Sequence, residues 1–570
     1  MDEGQARAER DGGARAAVTG GMALVEGLIA NGVDTVFGLP GAQMYPFFDA
    51  LRQRDDIIRT YGARHEQACG YMAFGYARST GRPGIYSVVP GPGVLNTTAA
   101  LCTAYGCNAP VLCITGQVPS AFLGRGRGHL HELPDQLGTL RSLTKWSERI
   151  ERIADVPSAI DEAFRRMLGG RPGPVALEMA WDVMAATGHA APLGRAEPEP
   201  PPRPDPAEIA AAAGFLVAAR APMIMVGGGA QGASREVAAL AAELGAPVAA
   251  LRSGRGVVAE DGPLGISSYA AYRLWPETDV LVGIGSRLEM PYMRWAGMMS
   301  HIGQPEPSPP LVRIDIDPLE FERLVPHAPI LADAAEGARA LLDEVRRLRS
   351  ARTGATSPRR SVDAIAAAKR EARTAIEGVQ PQLSYLDVIR DVLPRDGFFV
   401  NELSQVGFAS YFGFPVYEPR TYVTEGYQGT LGFGFPSALG VKVAHPDRAV
   451  LSVTGDGGFM FAVGELATAA QERIGLVTLV FNNGSYGNVM RDQARSFGNR
   501  LIGSALDNPD FVALAAAFGV KSARVDTAEA LRPVLAQALG GDEPVLIEVR
   551  VPRGTEASPW PFIHPQPVPG

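Results

Sequence analysis

Short apolar runs recur along the chain, separated by longer stretches in which apolar positions return every three or four residues. The first three runs stand at 35–38, 84–89 and 111–115. Three more lie at 223–226, 280–284 and 311–316, and four at 398–400, 449–453, 477–481 and 545–549. Brief continuous apolar runs predict strands buried on both faces, and the intervening periodicity predicts helices that cover them. The alternation therefore predicts an α/β fold of three doubly wound, parallel-sheet domains.

Two breaks divide the pattern. Residues 197–204 read Glu-Pro-Glu-Pro-Pro-Pro-Arg-Pro, and proline at this density removes backbone donors that a helix or sheet interior needs. A linker is expected over 187–206. Arginine, serine, threonine, glycine and proline without apolar periodicity begin at Arg347, and a second linker is expected over 347–380. The expected domains are 17–186, 207–346 and 381–551, with a disordered start at 1–16 and a proline-rich tail at 552–570.

Composition narrows the class. At 570 residues the chain exceeds a single core, since domains hold roughly 150 residues. A net charge of −8 argues against nucleic-acid and anionic-membrane partners, because phosphate surfaces reward basic faces. The four cysteines, Cys69, Cys102, Cys107 and Cys113, show no paired zinc spacing and read as reduced, buried thiols. No signal-peptide core and no apolar window of about 20 residues is present, so a soluble cytoplasmic protein is expected.

Chemistry enters at two strand ends. The run 450–454 leads into Gly455-Asp456-Gly457-Gly458, with a helix expected from near Phe461. The run 476–481 ends in Asn482-Asn483-Gly484-Ser485. Either turn alone is an ordinary loop. Asn483 lies 27 residues after Asp456, the length of one helix plus one strand, which returns both oxygen donors to one sheet edge. Ligands gather at the carboxyl ends of strands in such sheets, and a carboxylate with an amide and a backbone carbonyl suits magnesium. The glycines admit a close phosphate, and a helix N-terminus favours its charge.

This segment resembles the signature of thiamine-diphosphate enzymes. The rest of the chain resembles the large subunit of acetolactate synthase and its relatives, including benzoylformate and oxalyl-CoA decarboxylases. The likeness runs through Phe37-Gly-Leu-Pro-Gly, His65-Glu-Gln, Gly75-Tyr-Ala-Arg, Gly91-Pro-Gly with Asn96, and Ile114-Thr-Gly-Gln-Val-Pro. It continues in Arg313-Ile-Asp-Ile-Asp-Pro and Gly426-Tyr-Gln-Gly-Thr-Leu-Gly-Phe-Gly, and covers about residues 20–345 and 380–550. The resemblance implies an N-terminal pyrimidine-binding, a central Rossmann-like and a C-terminal diphosphate-binding domain.

It further implies that Asp456, the Asn483 side chain and the Ser485 carbonyl ligate Mg2+. Glu66 would hold N1′ of the aminopyrimidine and favour the tautomer that yields the C2 ylid, leading to an enamine/acyl-anion intermediate. Asn96, Glu402, Ser404, Gln405, Gly429, Gly455, Gly457, Gly458 and Tyr486 would line the cofactor, with Leu431 wedged beneath it where synthases carry Met. Because Glu66 and Asp456 fall in different domains, the resemblance implies a homodimer or homotetramer with sites shared between subunits.

Departures from the synthases bear on substrate. Gln43 follows Pro40-Gly41-Ala42, where synthases keep a second glycine, and is a candidate to face the reacting carbon. The loop 123–136 is longer than its synthase counterpart; His129 and His131 are candidate acid/base residues, and Arg125 or Arg127 a candidate partner for a carboxylate or phosphate. Glu402 stands where synthases have Asp. In the central domain 226–232 is glycine-rich, yet no acidic ribose partner is assignable by spacing, and Ser286-Arg-Leu-Glu-Met-Pro replaces the synthase flavin stretch. FAD or an ADP moiety therefore stays open. The expected activity is a carbon–carbon lyase or carboligase acting on a small 2-oxo acid. The alternatives are a 2-hydroxyacyl-CoA lyase or oxalyl-CoA decarboxylase type using an acyl-CoA, a cyclic-dione hydrolase, and a FAD-dependent pyruvate oxidase.

Overall fold

The computed structural model describes residues 17–295, 308–351 and 360–565. The expected disordered start at 1–16 lies outside the described residues. Among those described, eighteen strands build three six-stranded sheets in which every pairing is parallel. The N-terminal sheet holds β1 (Thr35–Gly38), β2 (Arg59–Gly62), β3 (Gly84–Val88), β4 (Val111–Gln117), β5 (Trp146–Ile150) and β6 (Val175–Ala180). The central sheet holds β7 (Pro222–Val226), β8 (Val248–Ala249), β9 (Gly265–Ile266), β10 (Val280–Ile284), β11 (Leu311–Asp315) and β12 (Ala328–Leu331). The C-terminal sheet holds β13 (Phe398–Asn401), β14 (Tyr422–Val423), β15 (Val450–Gly455), β16 (Val477–Asn482), β17 (Lys521–Val525) and β18 (Val545–Arg550).

Strand order separates the domains into two kinds. The N-terminal sheet runs β2-β1-β3-β4-β6-β5 and the C-terminal sheet β14-β13-β15-β16-β18-β17, the same order counted within each. The central sheet runs β9-β8-β7-β10-β11-β12, the 3-2-1-4-5-6 order of dinucleotide-binding folds, with its switch point between β7 and β10. Middle strands such as β3, β4, β7 and β10 are buried along their whole length, as a sheet covered on both faces requires.

The outer domains pack directly on each other. Helix Glu66–Thr80 crosses helix Gly434–Ala444 at glycines. A Cβ on Gly75 would strike the Ser437 carbonyl, and one on Gly440 the Met72 carbonyl. Around this crossing Tyr71, Phe74, Phe433 and Leu439 join one apolar core.

The linker at 187–206 begins with Thr187–Gly188 pairing antiparallel to Val18–Thr19, then stays irregular until helix Pro206–Ala218. The segment 347–380 differs from expectation: helix Ala334–Ala351 runs into it, and Val362–Ile376 forms a further helix. That helix buries Ile365, Ala368, Ala372 and Ile376, a helical stripe carried mostly by alanine and so weak in hydropathy. The tail also packs, with a helical turn at Trp560–Ile563. No helix among the described residues is long and apolar enough to cross a membrane.

Candidate active site

The expected diphosphate residues sit at the carboxyl edge of β13, β15 and β16. β15 and β16 are adjacent, with Thr454 opposite Val480 and Gly455 opposite Phe481, so Asp456 and the loop bearing Asn483 leave the sheet side by side. Helix Asp456–Phe459 starts at Asp456, five residues before the expected start near Phe461. Gly455, extended at φ −89° and ψ 159°, ends the strand and caps the helix in one residue, which leaves no room for a loop. Helices Gln405–Gly413 and Gly487–Ser496 begin at the same edge, the first capped by the Ser404 side chain on Gly407 N. Three helix N-termini thus converge where an anion would sit.

Asp456 is buried, and burial raises its carboxyl above the usual carboxylate range. Its Oδ2 accepts from Asn508 Nδ2 at 2.6 Å, and the same Nδ2 lies 2.9 Å from Asn482 Oδ1. Asn483 Oδ1 accepts from Ser485 N at 3.0 Å and Ser485 Oγ at 2.9 Å. A buried carboxylate that forms no ion pair among the described residues, beside an amide oxygen and a loop carbonyl, is a donor set suited to a hard divalent cation. The glycines leave close quarters: a Cβ on Gly457 would enter the Tyr486 ring, one on Gly458 the Glu402 carboxylate, and one on Gly455 would lie 3.3 Å from Ser404 Cβ. Gln405 reaches the same loop through Arg491, whose guanidinium donates to Gln405 Oε1 at 2.6 Å.

Glu402 is placed differently from a cofactor-facing side chain. It is fully buried, and its carboxylate accepts from Gly432 N at 2.5 Å, Gly434 N at 3.2 Å and Thr454 Oγ1 at 2.8 Å. Burial pushes its pKa up to about 7. It braces the turn that carries Gly429 and Leu431, where Gly429 adopts a left-handed φ of 64°.

The second cluster lies at the edge of the N-terminal sheet. Glu66 opens helix Glu66–Thr80, capped by the His65 imidazole on Gln67 N. Asn96 Nδ2 donates to Glu66 Oε2 at 2.9 Å. Gln43 is buried with a left-handed φ of 68°, and His131, half-buried, is left-handed as well at 67°. Gln43 Nε2 donates to the Leu130 carbonyl at 3.0 Å, which turns Oε1 toward His131 Nδ1 at 2.8 Å. An amide oxygen only accepts, so His131 carries its proton on Nδ1 and presents a bare Nε2. Burial holds its pKa below the usual imidazole value. In the same loop Arg125 and Arg127 are exposed, and the His129 ring packs tilted against Phe122 with centroids 4.1 Å apart.

No hydrogen bond among the described residues joins Glu66, Gln43, Asn96 or His131 to Asp456, Asn483 or Ser485. The link is Glu465, buried in the C-terminal domain, whose carboxylate accepts from Arg64 N at 3.1 Å and His65 N at 3.0 Å and so fixes the entry to the Glu66 helix. Sequence reasoning missed Glu465 and Asn508. Neither sits in a turn motif, and only their burial with backbone or carboxylate partners marks them.

A cavity of about 540 Å³ opens at the switch point of the central sheet. Gly227 and Gly229 approach the Gly285 backbone so closely that no Cβ would fit. Asp315, Asp333 and Arg287 line it. Acidic side chains that sequence spacing left unassigned are thus brought to the cavity from the ends of distant strands.

Three parallel-sheet domains, with oxygen donors at one carboxyl edge and a glutamate-headed helix at another, define a cofactor enzyme whose parts are spread over two domains. Family models of the thiamine pyrophosphate enzymes match in the same order. The N-terminal TPP binding domain matches residues 18–139, the central domain 209–341, and the C-terminal TPP binding domain 404–549. The chain is 35% identical to a probable 2-ketoarginine decarboxylase of Pseudomonas aeruginosa, over 94% of each chain. It is 32% identical to a probable acetolactate synthase large subunit of Methanocaldococcus jannaschii, over 93% of this chain and 91% of that one. It is 31% identical to an acetolactate synthase of Arthrospira platensis, over 95% and 96%. The chain belongs to the thiamine pyrophosphate enzyme family. It is a lyase or transferase dependent on thiamine diphosphate.

Proposed function

We propose that the protein is a magnesium- and thiamine-diphosphate-dependent carbon–carbon lyase acting on a small 2-oxo acid, with an acetolactate-synthase-like carboligation as its leading outcome. The observation that carries the reading is the oxygen set of Asp456, Asn483 and Ser485 at the β15–β16 edge, where a buried carboxylate with its pKa raised forms no ion pair among the described residues. Asp456, Asn483 Oδ1 and the Ser485 carbonyl would hold the cation, and the three helix N-termini the diphosphate. When bound, thiamine diphosphate supplies an electron sink for the carbanion left when a bond to a carbonyl carbon breaks.

The residues of the chain then divide the work. Glu66 Oε2 is held by Asn96, which leaves Oε1 for the ring nitrogen of the cofactor. His131 Nε2 accepts and returns a proton, with Nδ1–H pinned by Gln43. Leu431 and the Gly429 turn, braced by Glu402, form the apolar seat. Glu66 and Asp456 stand in separate clusters, and a second copy of the chain, as a homodimer or a pair of dimers, would complete each site. The central cavity, with glycines at the switch point and Asp315 and Asp333 on its wall, fits an ADP moiety, alone or within FAD.

His131 also favours a second outcome, simple decarboxylation, because a base that returns its proton releases an aldehyde without a second carbonyl. The relative named as a 2-ketoarginine decarboxylase supports that reading. The test incubates the protein with Mg2+ and thiamine diphosphate and either pyruvate or 2-ketoarginine, then measures CO2 and products. Acetolactate from pyruvate supports the first reading, and aldehyde with CO2 supports the second. CO2 from neither acid, with cleavage of an acyl-CoA or a cyclic dione instead, overturns both. Oxygen consumption by a yellow protein would point to a flavin oxidase.

A further inference from the structure

The C-terminal tail leaves the C-terminal sheet after β18 and returns across the loop that follows β16. Arg553 donates to the Gly484 carbonyl at 2.6 Å and the Leu506 carbonyl at 3.1 Å. Gln382 Nε2 donates to the Ala557 carbonyl at 2.6 Å, and Trp560 Nε1 to Asn488 Oδ1 at 2.5 Å. Trp560 also packs on Phe408, with ring centroids 5.1 Å apart. Between these anchors Glu556 is half-buried and accepts a hydrogen bond from Asn483 Nδ2 at 2.6 Å. Its own backbone carbonyl is held by Arg491 at 3.2 Å. Glu556 lies beyond the C-terminal family match, which ends at residue 549.

We infer that Glu556 is a positioning residue for the metal site, orienting the Asn483 amide so that its oxygen faces the cation. The reasoning is one of donor and acceptor. A carboxylate only accepts, so the amide atom beside it must be the NH2 group. Oδ1 is thereby turned to the opposite side, where Ser485 N and Oγ now occupy it. Without that carboxylate an asparagine amide can flip, and the flipped form would aim a donor at the cation. The second negative charge also adds to the local potential that attracts a divalent ion. Outer partners of this kind typically govern metal affinity by about 10–100-fold.

The inference rests on the magnesium reading above, and the experiment separates the two. Full-length protein with saturating thiamine diphosphate is titrated with Mn2+, free ion being followed by electron paramagnetic resonance and Mg2+ used as competitor. Glu556→Gln keeps the shape and an acceptor oxygen, and should weaken Mn2+ binding by about 10-fold, with Glu556→Ala nearer 100-fold. Turnover of both variants should recover at saturating Mg2+, and the melting temperature of the cofactor-free proteins should stay unchanged. If the alanine variant melts lower without cofactor, the isosteric glutamine variant decides. Wild-type affinity in Glu556→Gln and Glu556→Ala overturns the positioning role while the magnesium site stands. Absence of Mn2+ binding by the wild-type protein overturns the magnesium reading and this inference with it.

Discussion

The N- and C-terminal sheets repeat one another down to a buried ion pair, and differ in what that pair supports. In the N-terminal sheet Glu178 of β6 is fully buried beside Arg149 of β5, with Nε and Oε1 2.5 Å apart. In the C-terminal sheet Glu548 of β18 stands opposite Arg524 of β17 at 2.6 Å. Each glutamate takes one further amide. For Glu178 it is Gln136 Nε2 at 2.9 Å, whose own oxygen holds Gly91 N at 2.8 Å. For Glu548 it is Asn482 Nδ2 at 2.8 Å, next to Asn483. The same device thus steadies the loop carrying His131 at one edge and the Asn483 loop at the other. Shared topology provides two equivalent edges, and under the proposed function short loops divide cation binding from proton handling between them.

The largest expected effect separates these edges. Asp456→Ala should abolish Mg2+-dependent retention of thiamine diphosphate, read by cofactor content after gel filtration. Glu66→Gln should retain the cofactor yet lose about 10²–10⁴-fold in kcat, the range for a positioned acid or base. Equal cofactor loss in both variants would erase the division of labour.

Next come the paired glutamates. Glu178→Ala leaves Arg149, about 30% exposed, without its carboxylate, whereas Glu548→Ala leaves Arg524 still paired with Asp510 at 2.6 Å, so the first variant should lose more. Breaking a buried pair costs about 3–5 kcal/mol, reduced by that solvent access to about 2 kcal/mol. Urea unfolding of both variants checks that order.

A smaller effect concerns pH. His131 must be neutral to accept a proton, and its pKa is depressed below 6.5 by burial. The acid limb of kcat/KM should therefore fall with a midpoint under pH 6.5, and His131→Asn should remove that limb.

The smallest effect lies in stability. Glu402 has a native pKa of about 7 against an ordinary 4.5. Between those values the folded chain keeps a proton that the unfolded chain has released, so stability falls as pH rises through about 4.5 to about 7. Glu402→Gln should flatten that slope in urea unfolding, whatever its absolute stability.

Continuous apolar runs marked ten of the strands directly, because strands buried on both faces have no polar positions to interrupt them. The edge strands β2, β5 and β17 escaped notice, since Arg59, Glu148 and Lys521 face solvent and break the run. β6 also escaped, although it is wholly buried and, like β18 with Glu548, carries a glutamate inside, here Glu178. A charge is tolerated there only because Arg149 and Gln136 meet it from elsewhere in the chain.

The site divides along the same line. Glycines, Asp456 and Asn483 were legible because tight turns, close phosphate approach and oxygen donation demand particular residue types at short spacing. Glu465, Asn508, Glu556 and Asp315 were not, because nothing local requires them. The sequence by itself determined the α/β class and the thiamine diphosphate dependence, and placed the candidate loop residues, all governed by neighbours within one strand-helix-strand unit. Tertiary structure alone decided which distant carboxylate or amide completes each buried hydrogen-bond set, since a polar group removed from water must find its partner wherever the fold delivers one.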